Sequence, residues 1–182
     1  LADITAKELT ISGLVVGNKY YDGTNTAKIV GIPTLVGLAD GDSLRLLDGI
    51  PTFDSVSVGK NIPVSFTKFS LFGDSTLLCN YTLKQPSGIT ADILEYKADG
   101  GEYSVNSNGW INTDFTVTAK DGYLLSLTGS VDGEWTENLT ASDETADGSL
   151  IFYVKNTATG AISSAVTERY KIDRTAPTGE VS

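Results

Sequence analysis

The feature that most restricts the fold is a run of short apolar-polar alternations, each closed by a turn signal and recurring about every ten residues. A period of two sends successive side chains to opposite faces, as a half-buried strand requires. In the first half, residues 7–16, 26–30, 43–47, 62–72, 80–84 and 90–96 have this character. Between them stand Asp22-Gly23, Asp40-Gly41-Asp42, Asp48-Gly49 and Pro86-Ser87-Gly88. Glycine supplies positive φ in such turns and proline a fixed φ. No long stretch of Ala, Leu, Glu and Lys at helical spacing competes, while 19 Gly and 8 Tyr accompany many Thr, Ser and Val. The expected class is all-β.

The rhythm restarts after Asp99-Gly100-Gly101, with strands expected at 113–119, 123–127, 149–155 and 165–172. A chain of 182 residues suits two tandem β-sandwich modules of roughly 90 residues each, joined by a short linker. The expected division is 1–95, 96–174 and a linker at 175–182 leading to a following module. Ala2-Asp3-Ile4-Thr5-Ala6-Lys7 echoes Thr90-Ala91-Asp92-Ile93-Leu94-Glu95. Residues 1–6 therefore read as the tail of a preceding repeat. A start at Leu1 without any methionine reads as an internal fragment of a longer chain.

Composition removes several chemistries. The chain has no histidine and one cysteine, so Ser-His-Asp, Cys-His and His/Cys zinc sites cannot be assembled. No disulfide can form, and Cys79, in the apolar run Leu77-Leu78-Cys79, is expected as a buried thiol. A net charge of −10 disfavours nucleic acid and anionic membrane as partners. Residues 96–182 carry 13 acidic against 6 basic side chains, the first 95 carry 10 against 7. No run of about eighteen apolar residues is present to span a membrane. The expectation is a module without enzymatic activity or required cofactor.

Two sets of residues remain as candidate sites. Asp143, Glu144 and Asp147 crowd one turn and offer hard oxygen ligands for weak calcium binding, whereas Asp40, Asp42 and Asp48 read as turn caps. Trp110, Tyr123 and Trp135 could form an aromatic platform for a sugar ring. In a small sandwich a tryptophan fills the space between sheets, which suits Trp110, while Trp135, between Glu134 and Glu137, suits exposure. The ligand-binding candidates are thus Trp135 and Tyr123.

Lys19-Tyr20-Tyr21-Asp22-Gly23-Thr24 is accompanied by Gly41-Asp42-Ser43-Leu44, Val58-Gly59-Lys60-Asn61, Asn80-Tyr81-Thr82-Leu83 and Gly88-Ile89-Thr90-Ala91-Asp92-Ile93. Over residues 7–93 this set resembles the YDG repeats of bacterial adhesins and other surface proteins. Cys79 departs from the small residue usual before the Asn-Tyr pair. Trp110-Ile111-Asn112, Phe115–Ala119, Asp147-Gly148 and Tyr170-Lys171-Ile172-Asp173 with Thr175-Ala176-Pro177 resemble a bacterial immunoglobulin-like repeat over 97–173. The resemblances imply tandem, mostly-β modules of an exported bacterial surface protein. The expected role is a structural stalk, monomeric and bound to neighbouring modules of the same chain. The alternative is a module binding a host or plant glycan or a surface protein, in an adhesin or an extracellular glycan-processing enzyme.

Overall fold

The computed structural model describes residues 5–175. Both Ala2–Ile4 of the repeated phrase and Ala176-Pro177 of the expected linker lie outside them. Nearly all regular structure is strand, as expected, and no helix among the described residues is long and apolar enough to cross a membrane. Contacts divide the chain into two compact units: Leu1–Lys19 with Thr24–Leu94, and Tyr20–Gly23 with Glu95–Ser182.

The first unit contains β1 (Lys7–Ser12), β2 (Lys19–Tyr20), β3 (Thr34–Val36), β4 (Leu44–Leu47), β5 (Pro51–Phe53), β6 (Gly59–Phe66), β7 (Ser70–Gly73), α1 (Ser75–Leu78), β8 (Tyr81–Leu83) and β9 (Thr90–Leu94). Tyr20, at the end of β2, is grouped with the second unit. The strands form three small sheets, β3-β1-β8, β2-β9-β6-β5 and β4-β7. Alternation works as expected in β6 and β9, where Ile62, Val64, Ala91 and Ile93 are buried. Leu9, Leu44 and Tyr81 make a second apolar cluster, flanked by Leu77 and Leu78.

Three expectations for this unit change. The run 62–72 is two strands, because at the break the Gln85 side chain takes both the N–H and the C=O of Phe69, at 2.9 and 3.0 Å. Residues 26–30 contribute only single bridges, Thr26 to Thr52 and Ile29 to Val16. Cys79 is exposed. Asp74 caps α1 by accepting from Thr76 N–H at 2.7 Å. The helical turn that follows directs Leu77 and Leu78 to the core cluster and leaves Cys79, its C-cap, outside.

The turn glycines serve two purposes. Gly41 and Gly88 adopt positive φ, as turns demand. Gly49 does not; a Cβ there would meet the Thr67 carbonyl oxygen at 2.1 Å and the Phe69 ring at 2.9 Å, so glycine permits close packing. In β6, Asn61 takes φ 52 at a register irregularity between Gly59 and Ile62, and its N–H is held by the Asp92 carboxylate at 2.8 Å.

The second unit contains β10 (Tyr103–Val105), β11 (Trp110–Ile111), β12 (Phe115–Ala119), β13 (Tyr123–Ser126), β14 (Asn138–Ala141), β15 (Thr145–Asn156) and β16 (Val166–Ile172). A three-stranded sheet has the order β10-β12-β14, and a four-stranded sheet the order β11-β16-β15-β13. Both sheets supply one core: Phe115 and Val117 from β12 meet Leu125, Phe152, Val154 and Ile172. The Phe115 ring stacks on Tyr170 at 5.2 Å, and Tyr103 meets Phe152 edge-on at 5.1 Å.

Trp110 is not the core tryptophan that the sequence pattern favours. In β11 the register sets Ile111 beside buried Ile172, so Ile111 faces the core and its neighbour Trp110 faces away, 57% exposed. Phe115 and Phe152 occupy the interior in its place. Truncating Phe115 to Ala leaves a cavity inside a packed core, and we expect Phe115→Ala to cost about 3–5 kcal/mol in urea unfolding. Exposed Leu127→Ala, measured in parallel, should change stability by less than about 0.5 kcal/mol.

Candidate functional site

The sequence-based candidates all lie in the second unit. Trp135 precedes Thr136, which exchanges backbone hydrogen bonds with Leu125 of β13, both at 2.8 Å. Its indole N–H donates to the Ser130 carbonyl at 3.0 Å, and the Lys155 ammonium stands 5.3 Å from its ring centroid. The ring is half-buried, with its polar atom used and a cation over one face. Tyr123, also half-buried, packs against the Phe115–Phe152 core cluster. Nearby, a depression of ≈ 190 Å³ is lined by Ser126, Leu127, Thr128, Glu134, Thr136 and Leu139. Neither Trp135 nor Tyr123 lines it, so the two do not form a joint platform there.

The acidic turn is likewise occupied by local work. Asp147 accepts from the Arg169 guanidinium at 2.9 Å, and Glu144 accepts from the Thr175 hydroxyl at 2.7 Å. Asp143 is exposed. Among the described residues no three acidic or cysteine side chains gather in a way that could hold a metal ion. Asp143, Glu144 and Asp147 therefore share a turn without converging on a common point. Asp147 lies at a register shift of β15 between Thr145 and Gly148, which the spacing of acidic residues does not reveal.

In the first unit, the Asp42 carboxylate reaches a distant strand rather than the backbone of its own turn. It accepts from the Tyr81 hydroxyl at 2.5 Å, and the same hydroxyl accepts from Ala39 N–H at 3.1 Å. The hydrogen bond to Asp42 raises the Tyr81 phenol above its ordinary range.

The segment Tyr20-Tyr21-Asp22-Gly23 is built tightly into the second unit. The Tyr21 carbonyl accepts from Ile162 N–H at 2.7 Å, and Tyr20 meets Tyr96 edge-on at 5.9 Å. Gly23 has φ +71, and a Cβ there would fall 1.8 Å from a Val131 methyl. The expected tight turn needs its glycine for conformation and for space. On either side of this segment in sequence, Lys19 Nζ donates to the Thr24 carbonyl at 2.7 Å and its hydroxyl at 3.0 Å.

Two tyrosine–glutamate pairs, which no residue spacing announces, hold strongly shifted phenols. Glu102 is buried; it accepts from the Tyr96 hydroxyl at 2.9 Å and from Asp99 N–H at 3.1 Å. Tyr103 donates to Glu168 at 2.6 Å. Burial first, and then the hydrogen bond to the glutamate, pushes each phenol well above the usual tyrosine value. A phenol so held stays protonated. It can clamp a carboxylate but cannot serve as base or nucleophile near neutrality. Their separation, 6 residues in one pair and 65 in the other, hides them from any linear motif.

Residues 5–88 match the YDG domain. The YDG tripeptide itself is Tyr21-Asp22-Gly23, within the tight turn described above. No protein of curated function matches the chain.

The tyrosine pairs make stability fall in alkali. Unfolded phenols release protons as pH passes about 10, while Tyr96 and Tyr103 in the folded state still hold theirs. Their contribution is complete below about 10 and is lost as pH rises toward the folded values. The urea midpoint should drop from pH ~8 to pH ~11, and the double variant Tyr96→Phe/Tyr103→Phe should show a shallower drop. An equal slope in both proteins would refute this role for the pairs.

Proposed function

We propose that the two units are spacer modules of an exported bacterial surface protein, with no catalytic role, the second being an immunoglobulin-like sandwich. The reading is supported by the YDG match over residues 5–88 and by a second unit whose two sheets share one core. One observation carries it. The last strand, β16, is held on both sides, by an antiparallel ladder to β15 along nearly its whole length and by the parallel pair to β11. Ladder hydrogen bonds run across the strand axis, so sliding β16 along that axis must break both sets together. A chain pulled from its ends loads its terminal strands in this way, as a stalk between cell wall and distal domain would be loaded.

The acidic surface fits the same role, because net charge keeps an exported repeat soluble and apart from its copies. Its partners in this reading are the neighbouring modules of the same chain, and its place is outside the cell.

Single-molecule stretching of the whole chain tests the proposal. Two separate unfolding events are expected, each releasing about 25–30 nm of contour length. Both should occur at forces above those of a helical-bundle reference domain in the same tether. Thr167→Pro, which puts a ring in place of a backbone N–H where β16 lies opposite Ile151 of β15, should lower the force of one event and leave the other unchanged. Unfolding of both units at the force of the helical reference would count against a load-bearing role.

A further inference from the structure

The two tryptophans of the second unit are used in opposite ways. Trp135 donates its indole N–H to a backbone carbonyl and lies half-buried. Trp110 is 57% exposed, and among the described residues its indole N–H has no acceptor. Trp110 thus presents a large flat apolar surface and a free N–H donor at the protein surface.

Trp110 is also held firmly. It sits in edge strand β11, in parallel register with Lys171 and Ile172 of β16. Asp173 N–H donates to the Ile111 carbonyl at 2.9 Å and ties the strand's other end. Lys171 Nζ stands 5.7 Å from the indole centroid, over one face. An open depression of ≈ 630 Å³ is lined by Trp110, Ile111, Asn112 and Asp173. Asp173 spends its Oδ1 on Thr175 N–H, at 2.9 Å, while the exposed Asn112 side chain makes no hydrogen bond among the described residues.

We propose that Trp110, Asn112, Lys171 and Asp173 form a binding site for a neutral saccharide. A pyranose has one face of C–H groups and a rim of hydroxyls. The flat apolar indole matches that face, and the surrounding groups match the rim: indole N–H and Lys171 donate, Asp173 accepts, and the Asn112 amide does both. The charges decide between ligand classes. Lys171 and Asp173 cancel locally, so the site has no net attraction for an ion. An anion would also meet a unit with 13 acidic against 6 basic residues over 96–182. A cation would be repelled by the Lys171 ammonium already placed at the ring, a penalty that a neutral ligand escapes. This site goes beyond the spacer role and does not depend on it.

The test uses the whole chain, titrated by calorimetry and tryptophan fluorescence with cellohexaose, xylohexaose, mannohexaose and galactohexaose, and with polygalacturonate as an anionic probe. At least one neutral hexasaccharide should bind saturably and shift the fluorescence. Trp110→Ala should weaken it about tenfold or more, and Asn112→Ala severalfold. Trp135→Phe should leave affinity unchanged. Because Trp110 and Asn112 are both exposed, the melting temperatures of their variants should stay at the parent value, and either variant alone can decide the matter. The proposal is overturned if no neutral hexasaccharide binds, if only polygalacturonate binds, or if binding survives Trp110→Ala and Asn112→Ala intact.

Discussion

The register of β15 is the constraint on which the second unit depends. This twelve-residue strand pairs with β13 on one side and β16 on the other, and through β16 it holds β11. A slip of one residue would turn Phe152 and Val154, both fully buried, out to solvent and bring Tyr153 and Lys155 inward. Where β15 ends, buried Ser163 prolongs the pairing: its hydroxyl accepts Val154 N–H at 2.9 Å, and its own N–H donates to the Val154 carbonyl at 2.8 Å. Asn156 then caps the turn by accepting from Ala158 and Thr159. The sheet positions of Trp110 and Tyr170 follow from this one alignment.

The first unit has no comparable strand. Its sheets hold two to four strands, and side chains act as fasteners within and between them: Asp42 on Tyr81, Gln85 on Phe69, Asp92 on Asn61. Such a unit spreads its stability over polar contacts whose loss leaves buried or strained backbone groups unpaired.

This difference explains what could be read from the sequence. Strands with a clear two-residue period and adequate length, such as β9, β12 and β16, are legible because alternation and burial coincide in them. The strands β3, β5, β10, β11 and β14 have two to four residues, too few for a period to register. The break at Phe69 depends on a glutamine 16 residues away, and α1 depends on the Asp74 cap within a run that looks apolar. The candidate site was legible in residue type and not in orientation. Tryptophan was the informative residue, yet a two-residue strand decided that Trp110 faces outward, while a single carbonyl at Ser130 tied Trp135 down. Acidic density likewise marked the turn at Asp143–Asp147 without showing that Arg169 and Thr175 engage two of its carboxylates.

The picture is of a unit whose interior chemistry is quiet, with protonated phenols clamping glutamates, and whose strongest structural asset is a doubly held terminal strand. Native-state hydrogen exchange tests that claim most directly. The amides of residues 150–154 and 166–172 should be the slowest in the second unit and exchange only through its global unfolding, with the same denaturant dependence as that unit's equilibrium transition. If these amides exchange through local opening, as fast as those of β10 and β14 at the other sheet, the β15–β16 ladder is not what holds the unit together.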